Sequence, residues 1–394
     1  MKVLQINATY GSGSTGKICY SVAKLMDKEN IEHLTLYSQG SLKAENAVKI
    51  KNKNYYKIQA LKSRIFGNYG FNSSLATKEI IRQIKEFSPD IVHLHNIHGH
   101  NVNLKTLFTF FKKNPEIKLF WTFHDCWAFT AYCPHYTMAK CYKWQSECSH
   151  CKLRKEYSWF FDKSKKLFNR KKELFTGLNL TIVTPSEWLA GEVKKSFMKD
   201  YPVKVINNGI DLSVFKPIES DFREKHGIAD DKFLLSGVAF GWGERKGLDV
   251  FIKLSERLDK DKYAIVLVGG NAETDKLLPK DIISIHRTQN QTELAEIYSS
   301  CDLFVNPTRE EVLGLVNIEA NACGTPVLTF DSGGSPECIN KKSGSVVSCD
   351  DIDGLINEIE RIRNERPFTK ENCILRAEEF DADKKFKEYT ELYK

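Results

Sequence analysis

Residues 302–327 read DLFVNPTREEVLGLVNIEANACGTPV. The apolar run at the start predicts a buried strand, and the residues after Gly314 have the apolar spacing of a helix that stops before the closing glycine and proline. Between these two elements lies a loop that carries Glu310 and Glu311. A strand followed at once by a helix is the unit from which helix-covered parallel sheets are built. This stretch therefore predicts an α/β fold.

The same alternation continues outward through both halves of the chain. The apolar runs that predict strands are VLQIN, HLTLYS, DIVHLH, KLFWTF, LTIVT and VKVI in the first half, and FLLSGVA, YAIVLV, IISIH, DLFVN and PVLTF in the second. Each half has enough strands for a doubly wound parallel sheet of its own, and 394 residues exceed one ordinary core. We expect two Rossmann-like domains, residues 1–207 and 208–375, facing a central cleft in which ligands bind.

The helix after the loop predicts a phosphate site. Its first amides, at Gly314, Leu315 and Val316, have no partner within the helix, and the helix dipole places a partial positive charge there. Glu311 precedes the helix and Glu319 lies within it. Because a carboxylate accepts hydrogen bonds from two neighbouring hydroxyls, the pair suits a nucleotide sugar, which carries a ribose diol and sugar hydroxyls on either side of its diphosphate.

A glycine-rich loop, GSGSTGK at 11–17, follows the first predicted strand. It matches the dinucleotide pattern G-x-G-x-x-G and most of the P-loop. Ile18 stands where a P-loop needs a hydroxyl, and the second strand ends without the carboxylate that binds a ribose. The loop is therefore either a plain tight turn or a helix start that helps to shape an anion site.

Several further segments carry a family resemblance. Together with Glu311-x7-Glu319, the stretches GSGSTGK, TFHD at 122–125, NNGIDLSVFKP at 207–217 and RKGLDVFIKL from 245 resemble the retaining glycosyltransferases of family 4 along most of the chain. The resemblance implies the two-domain GT-B fold, with a C-terminal helix at 376–394 crossing back to the first domain. It also implies a hexosyltransferase-type enzyme that moves a sugar from a UDP- or GDP-linked donor to a saccharide or lipid-linked saccharide in capsule, exopolysaccharide or lipopolysaccharide assembly.

The resemblance also implies residue roles. Glu311 is expected to contact the donor sugar, Glu319 the ribose, and Arg245 and Lys246 the diphosphate. His124 is expected beside the donor sugar and the acceptor, and retention is explained by front-face displacement without a protein nucleophile. The candidate residues are His124 and Glu311 for catalysis; Gly13, Gly16, Arg245, Lys246, Glu311, Gly314, Leu315, Val316 and Glu319 for the donor; and Gly11, His124 and Asp125 for the acceptor side.

No catalytic metal or other cofactor is expected. The two D-x-D pairs, Asp351–Asp353 and Asp381–Asp383, each directly precede a predicted helix. Aspartate favours the N-cap position, so we interpret both pairs as helix caps rather than as a metal site.

Four cysteines, Cys133, Cys141, Cys148 and Cys151, lie close together in the sequence. Cys148-x2-Cys151 has the spacing of a zinc knuckle, and four thiolates would complete a tetrahedral structural zinc site. Reduced cysteines in an acceptor-side loop are the alternative interpretation.

Charge is distributed unevenly. Residues 1–200 hold 32 basic and 16 acidic residues, whereas residues 201–394 hold 26 and 35. The basic first half suits an anionic partner or is simply a solvated surface. Residues 55–66 and 163–175 mix cations with apolar residues and could lie on an anionic membrane surface. Without an export signal or an apolar span of 18 residues, we expect a cytoplasmic protein, peripheral on the inner face of the cell membrane.

Two other functions fit parts of the sequence. A nucleotide-sugar epimerase could share the two-domain shape, but it needs an acid/base set that the motifs do not supply. A zinc-stabilised nucleic-acid-binding protein could use the basic half and the cysteines. The acidic second half and the two carboxylates argue against it, so no nucleic acid is expected as a partner.

Overall fold

The computed structural model describes residues 1–394, which divide into two compact units. The first unit comprises Met1–Ile206 together with Phe386–Lys394, and the second comprises Asn207–Lys385. Each unit is built around one fully parallel sheet covered by helices. Two such sheets confirm the predicted α/β, Rossmann-like fold class.

The first unit contains a seven-stranded sheet whose strands are mostly buried on both faces, as expected for parallel strands between helices. Its strands are β1 (Lys2–Thr9), β2 (Glu32–Gln39), β3 (Ala47–Lys49), β4 (Ile91–Leu94), β5 (Lys118–Thr122), β6 (Leu180–Thr184) and β7 (Val203–Val205). They are arranged in the order β3-β2-β1-β4-β5-β6-β7.

The helices of the first unit vary from one turn to four. They are α1 (Gly13–Lys28), α2 (Lys53–Phe66), α3 (Ser74–Phe87), α4 (Leu104–Lys113), α5 (Arg154–Tyr157), α6 (Ser164–Phe175) and α7 (Glu187–Lys194). Between β5 and α6 the chain has only α5 and two 3-10 turns, at Trp127–Phe129 and Lys143–Gln145. This segment of about forty residues is therefore held by side chains more than by regular structure.

The second unit has a six-stranded sheet in the order β10-β9-β8-β11-β12-β13. The strands are β8 (Phe233–Val238), β9 (Tyr263–Val268), β10 (Ile282–Ile285), β11 (Leu303–Asn306), β12 (Val327–Phe330) and β13 (Gly344–Val347). The helices are α8 (Phe222–Lys225), α9 (Leu248–Arg257), α10 (Ala272–Asp275), α11 (Gln291–Ser300), α12 (Leu315–Ala322), α13 (Ile352–Glu365) and α14 (Lys370–Glu378).

The last helix, α15 (Ala382–Tyr393), begins in the second unit and ends in the first. The second unit extends to residue 385, ten residues beyond the predicted boundary. Phe380 is buried in its core, and Asp381 pairs with Ile210 in an isolated parallel bridge. Further on, Tyr393 is buried in the first unit beside His93.

Strand order reverses at the first strand of each sheet. β1 lies between β2 and β4, and β8 lies between β9 and β11. In open parallel sheets, ligands bind beyond the carboxyl ends of the strands at such a reversal. The loops after β1 and β4 in the first unit, and after β8 and β11 in the second, are therefore the places where site residues are expected.

Candidate active site

The loop after β11 leads into α12 as predicted. Gly314 takes a left-handed conformation, with a φ of 53°, and α12 begins at Leu315. The amides of Leu315 and Val316 lie in the first turn, where a helix provides no acceptor of its own. The structure thus provides a helix N-terminus at the strand reversal of the second unit.

Lys246 and Glu311 form an ion pair at this position. Lys246 Nζ lies 2.6 Å from Glu311 Oε2, and each side chain is about one-fifth exposed. Lys246 ends a 3-10 turn after β8, and Gly247 follows with a φ of 77°. A Cβ at Gly247 would lie 2.5 Å from the carbonyl oxygen of Pro307, so the lysine loop packs directly on the end of β11.

Arg245, the other predicted diphosphate ligand, is exposed. Its backbone carbonyl accepts a hydrogen bond from the amide of Arg309 at 2.9 Å. The Arg309 guanidinium in turn pairs with Asp249 and Asp350. The backbone of Arg245 therefore fixes the lysine loop, while its guanidinium takes no part in the Lys246–Glu311 pair.

A glycine turn after β12 contacts the backbone of Glu311. The amide of Gly334 donates to the Glu311 carbonyl at 3.1 Å. Gly333 has a φ of 58°, and a Cβ there would lie 1.7 Å from the same oxygen. Only glycine fits this contact. Gly333 was not predicted, although the dipeptide Gly333-Gly334 directly after a predicted strand is a sequence signal for a close backbone approach.

Glu319 projects from the middle of α12 and accepts a hydrogen bond from the Tyr298 hydroxyl at 3.2 Å. Burial and the Glu319 carboxylate raise the pKa of Tyr298, so the phenol remains a donor. Asn317, two residues earlier, is fully buried and bridges Asn306 at the end of β11 to Ser335. These contacts fix the rotation of α12. The roles of Tyr298 and Asn317 were not predicted, because the residues that they contact lie 11 to 21 positions away in the sequence.

In the first unit, the glycine-rich loop joins β1 to α1 as a tight turn. The amide of Gly11 donates to the carbonyl of Gly16 at 2.9 Å, and Gly11 and Gly13 have φ values of 68° and 67°. A Cβ at Gly16 would lie 2.7 Å from Thr9 Oγ1. Ser12, at the N-cap of α1, makes no side-chain capping bond. The glycines thus permit a close strand-to-helix turn whose first amides lack a side-chain cap.

His124 and Asp125 follow β5 but have different partners. His124 Nε2 lies 3.4 Å from Nδ1 of His95. Asp125 accepts a hydrogen bond from His98 Nε2 at 2.7 Å and another from the amide of Trp127 at 2.8 Å. Asp125 therefore caps the next turn and orients His98.

The pKa values of His124 and Asp125 are both lowered, but for different reasons. Burial lowers the pKa of His124 to about 4, so its imidazole is neutral near pH 7. Burial alone would raise the pKa of Asp125, but the His98 pair and the hydrogen bonds outweigh it and lower the pKa to about 2. The loop thus presents a neutral imidazole at His124 and an ionised carboxylate at Asp125.

His95 and His98 were missed, although HLHNIHGH at 93–100 is a visible signal after a predicted strand. His95 Nε2 lies 3.0 Å from Oε1 of Gln5, and its ring stacks with that of His93 at 4.1 Å between centroids. His93 contacts Thr122 at 2.8 Å and the hydroxyl of Tyr393 at 2.5 Å. A row of buried polar groups thus runs from the returning helix α15 to His124.

Comparison with known families decides the identity. The profile of Glycosyltransferase Family 4 matches residues 16–214, half of the chain. The chain belongs to glycosyltransferase family 4. A second profile, Glycosyl transferases group 1, matches residues 219–380. The two profiles together cover both structural units.

Relatives of this family 4 glycosyltransferase include biosynthetic enzymes. The Escherichia coli (strain K12) protein WcaC, which carries the name colanic acid biosynthesis glycosyl transferase, is 22% identical over 90% of this chain and 89% of its own. A GDP-mannose-dependent phosphatidylinositol monomannoside mannosyltransferase of Mycolicibacterium smegmatis is 31% identical over 38% of this chain and 44% of its own.

Solved structures show that this family 4 glycosyltransferase has the GT-B fold. Sucrose-phosphate synthase from Thermosynechococcus elongatus superposes with a TM-score of 0.73 at 15% identity, covering 100% of this chain and 98% of its own. Anabaena HepE in complex with UDP-glucose superposes with a TM-score of 0.66 at 15% identity, covering 100% and 99%.

The four predicted cysteine ligands of the glycosyltransferase line one small cavity of about 20 Å³, together with Trp144. Neither they nor any other three His, Cys, Asp or Glu side chains are arranged as metal ligands in the structure. The zinc site therefore stays a prediction.

A buried lysine lies next to this cavity. The Lys171 ammonium donates to the carbonyls of Trp127 and Thr130 at 2.7 and 3.0 Å, and lies over the Trp127 ring. Burial lowers the pKa of Lys171, while the thiols of Cys148 and Cys133 and the Asp125 carboxylate favour its charge.

Both D-x-D pairs of the glycosyltransferase are helix caps, as predicted. Asp351 accepts from the amide of Gly354 at 2.8 Å at the start of α13. Asp381 accepts from the amide of Lys384 at 3.0 Å at the start of α15.

Proposed function

We propose that this glycosyltransferase transfers a hexosyl group, with retention of configuration, from a UDP- or GDP-linked sugar to a saccharide or lipid-linked saccharide in surface polysaccharide assembly. The Lys246–Glu311 pair beside the first turn of α12 carries the proposal. A cation and uncapped helix amides suit a diphosphate, and the carboxylates suit hydroxyls. The name of the Escherichia coli relative and the UDP-glucose bound to Anabaena HepE support this substrate class.

The reaction breaks the bond between the sugar C1 and the donor phosphate oxygen and forms a bond from C1 to the acceptor hydroxyl oxygen. The acceptor proton passes to an oxygen of the leaving nucleoside diphosphate. Lys246 and the amides of Leu315 and Val316 stabilise the charge that develops on that diphosphate, a role that a metal ion fills in other enzymes. Glu311 holds the donor sugar and Glu319 the ribose.

The first unit supplies the acceptor side of the proposed reaction. His124 is neutral near pH 7 and offers a hydrogen bond to a sugar hydroxyl without adding charge. His98, held by Asp125, is partly exposed and is a second hydroxyl ligand. The glycine loop with Gly11, Gly13 and Gly16 lies at the strand reversal of the same sheet.

We also propose that Cys133, Cys141, Cys148 and Cys151 bind a structural zinc ion after turning toward a common centre. Four thiolates around Zn²⁺ carry a net charge of about −2, half of which the adjacent Lys171 ammonium would offset. Such a cross-link would stabilise a segment with little regular secondary structure.

Nucleotide titration tests the donor site. Calorimetry with UDP and GDP should show that Lys246→Met and Glu319→Gln weaken the preferred nucleotide about 10- to 100-fold, the range for hydrogen bonds to charged groups. The matched controls are Lys253→Met and Glu360→Gln, exposed residues of α9 and α13, which should bind as the wild type does. Unchanged affinity in both site variants would refute the donor site, and acceptor-independent interconversion of sugar epimers would favour the epimerase.

A further inference from the structure

Helix α6 occupies the basic stretch 163–175, and one of its cations faces the interior of the first unit. No helix of the chain, α6 included, is long and apolar enough to cross a membrane. The buried residues of α6 include Leu167, Phe168, Leu174 and Phe175, and among them lies Lys171, which is completely inaccessible to solvent. The transfer reaction described above does not use this lysine.

The Lys171 ammonium binds both ends of one short turn. It donates to the carbonyl of Trp127 at 2.7 Å and to the carbonyl of Thr130 at 3.0 Å. These two residues are the first residue and the C-cap of the 3-10 turn at Trp127–Phe129. The ammonium also lies 3.5 Å from the centre of the Trp127 ring. Lys171 therefore ties α6 to the turn that follows His124 and Asp125.

A lysine is an unusual residue for such a buried position. Transfer of an ammonium from water into a protein interior is strongly unfavourable, and hydrogen bonds to carbonyls compensate only part of that loss. A methionine would fill a similar volume without it. Buried charges are therefore weak contributors to stability, and residues that break the rules of core packing concentrate at functional sites.

The turn that Lys171 holds also holds the acceptor-side residues. The amide of Trp127 donates to Asp125 Oδ1 at 2.8 Å, and the other carboxylate oxygen accepts from His98 Nε2 at 2.7 Å. The His98 ring lies 5.3 Å from the Trp127 ring. A displacement of Trp127 would therefore move His98 through two separate contacts.

The cysteine cluster is the other neighbour of Lys171. The thiols of Cys133 and Cys148 favour the charge on the lysine, and Thr130 Oγ1 donates to the carbonyl of Cys133 at 2.6 Å. Compensation of thiolate charge requires only a cation nearby. It does not require an ammonium that bridges the carbonyls at the two ends of one turn, so these hydrogen bonds indicate a second role for the lysine.

From these contacts we infer that Lys171 is a positioning residue for the acceptor side of the proposed reaction: it holds the turn that orients Asp125 and, through Asp125, His98. Under the proposed function His98 binds an acceptor hydroxyl, so the inference rests on that function. Removal of the ammonium leaves two buried carbonyls without a donor, and the turn then moves toward other partners. A displacement of about 1 Å at a reacting centre lowers the rate about 100-fold, so Lys171→Met should lower sugar transfer by about that factor.

NMR of the full chain with isotope-labelled histidine tests the inference without donor or acceptor. The imidazole signals of His98, assigned with His98→Gln, should shift or broaden in Lys171→Met. Lys172→Met is the matched control, because Lys172 is the next residue of α6, carries the same charge and is exposed. Its spectrum should match that of the wild type. Unchanged His98 signals in Lys171→Met would overturn the inference.

Kinetics separate a positioning role from a purely structural one. With UDP-glucose or GDP-mannose as donor and octyl hexosides as acceptors, Lys171→Met should transfer sugar about 100-fold more slowly. Hydrolysis of the donor by water and the affinity for UDP and GDP should stay within about twofold, because the donor site lies in the second unit. Lys171→Gln, which keeps a donor, should recover about tenfold of the loss.

Stability should not follow the order of these rates, because removal of a buried charge often leaves stability unchanged or higher. The inference is wrong if transfer falls only in proportion to the folded fraction, or if donor affinity falls equally. It is also wrong if Lys171→Met loses zinc and Cys148→Ser/Cys151→Ser has the same kinetic defect, since the lysine would then act through the cysteines. If Lys171→Met does not fold, Lys171→Gln takes its place in each comparison, and if the wild type uses none of the hexosides, the histidine spectra decide. Failure of the donor site itself is detected separately, by nucleotide titration of the wild type.

Discussion

Gly333→Ala tests whether the position of Glu311 matters for the reaction. The new Cβ would lie 1.7 Å from the Glu311 carbonyl oxygen, whereas real Cβ contacts essentially never fall below 3.0 Å. The two backbones must therefore separate by at least 1.3 Å, the difference between these two distances. A misplacement of about 1 Å at a reacting centre lowers the rate about 100-fold. We expect kcat/KM to fall by about that factor.

The assay measures initial rates of nucleoside diphosphate release with a saccharide acceptor, together with thermal unfolding. Gly227→Ala is the matched control: its φ of 63° is as left-handed as that of Gly333, but a Cβ there meets nothing within 4 Å. The left-handed conformation costs alanine about 1–2 kcal/mol of stability in both variants, and the clash with Glu311 adds a further loss in the Gly333 variant alone. Equal rates in the two variants would refute the reasoning that the glycine turn positions Glu311.

Two further predictions concern the first unit. Its stability should decrease at acid pH, and its cysteine cluster should bind zinc. Burial lowers the pKa of His93 to about 3 and of His100 and His124 to about 4. As the pH falls below about 6.5, these histidines therefore take up protons in the unfolded chain before they do so in the folded chain. The free energy of unfolding then decreases toward pH 4, by at most about 1.4 kcal/mol per pH unit for each histidine. Thermal unfolding measured from pH 7.5 to 4.5 should show this loss of stability. The unfolding free energy should change less steeply with pH in His124→Gln than in the control, His226→Gln, which replaces an exposed histidine. An equally steep pH dependence in the two variants would contradict the prediction. Elemental analysis of untagged protein should find about one zinc per chain, lost in Cys148→Ser/Cys151→Ser and kept in Cys349→Ser; wild-type protein without zinc would disprove the site.

Most of the fold could be predicted from the sequence because parallel strands buried on both faces are continuous apolar runs. The two missed strands are exceptions: Ala47–Lys49 and Gly344–Val347 are edge strands of three and four residues whose side chains are only partly buried. The end of the second unit was also misplaced. It depends on Phe380 and the bridge at Asp381, which are contacts with residues far away in sequence.

In the candidate site too, features that depend on neighbouring residues could be predicted, whereas contacts between residues far apart in the sequence could not. The turn at Gly314 and the start of α12 were predicted, because capping and glycine conformation act over a few residues. The 2.6 Å pair of Lys246 with Glu311 joins residues 65 positions apart, and the sequence offered it only through family resemblance. Gly333 and His98 stand in visible local patterns, but the residues that they contact, and the contact of Tyr298 with Glu319, could not be predicted because these partners lie far away in the sequence.

The path of α15 has a consequence for biosynthesis. Residues 386–393 complete the core of a unit whose other residues end at Ile206, so about 180 residues are translated between the two parts. While the ribosome makes that stretch, the pocket for Tyr389 and Tyr393 beside His93 stays unfilled. The first unit therefore reaches its final packing only after the second unit has been translated.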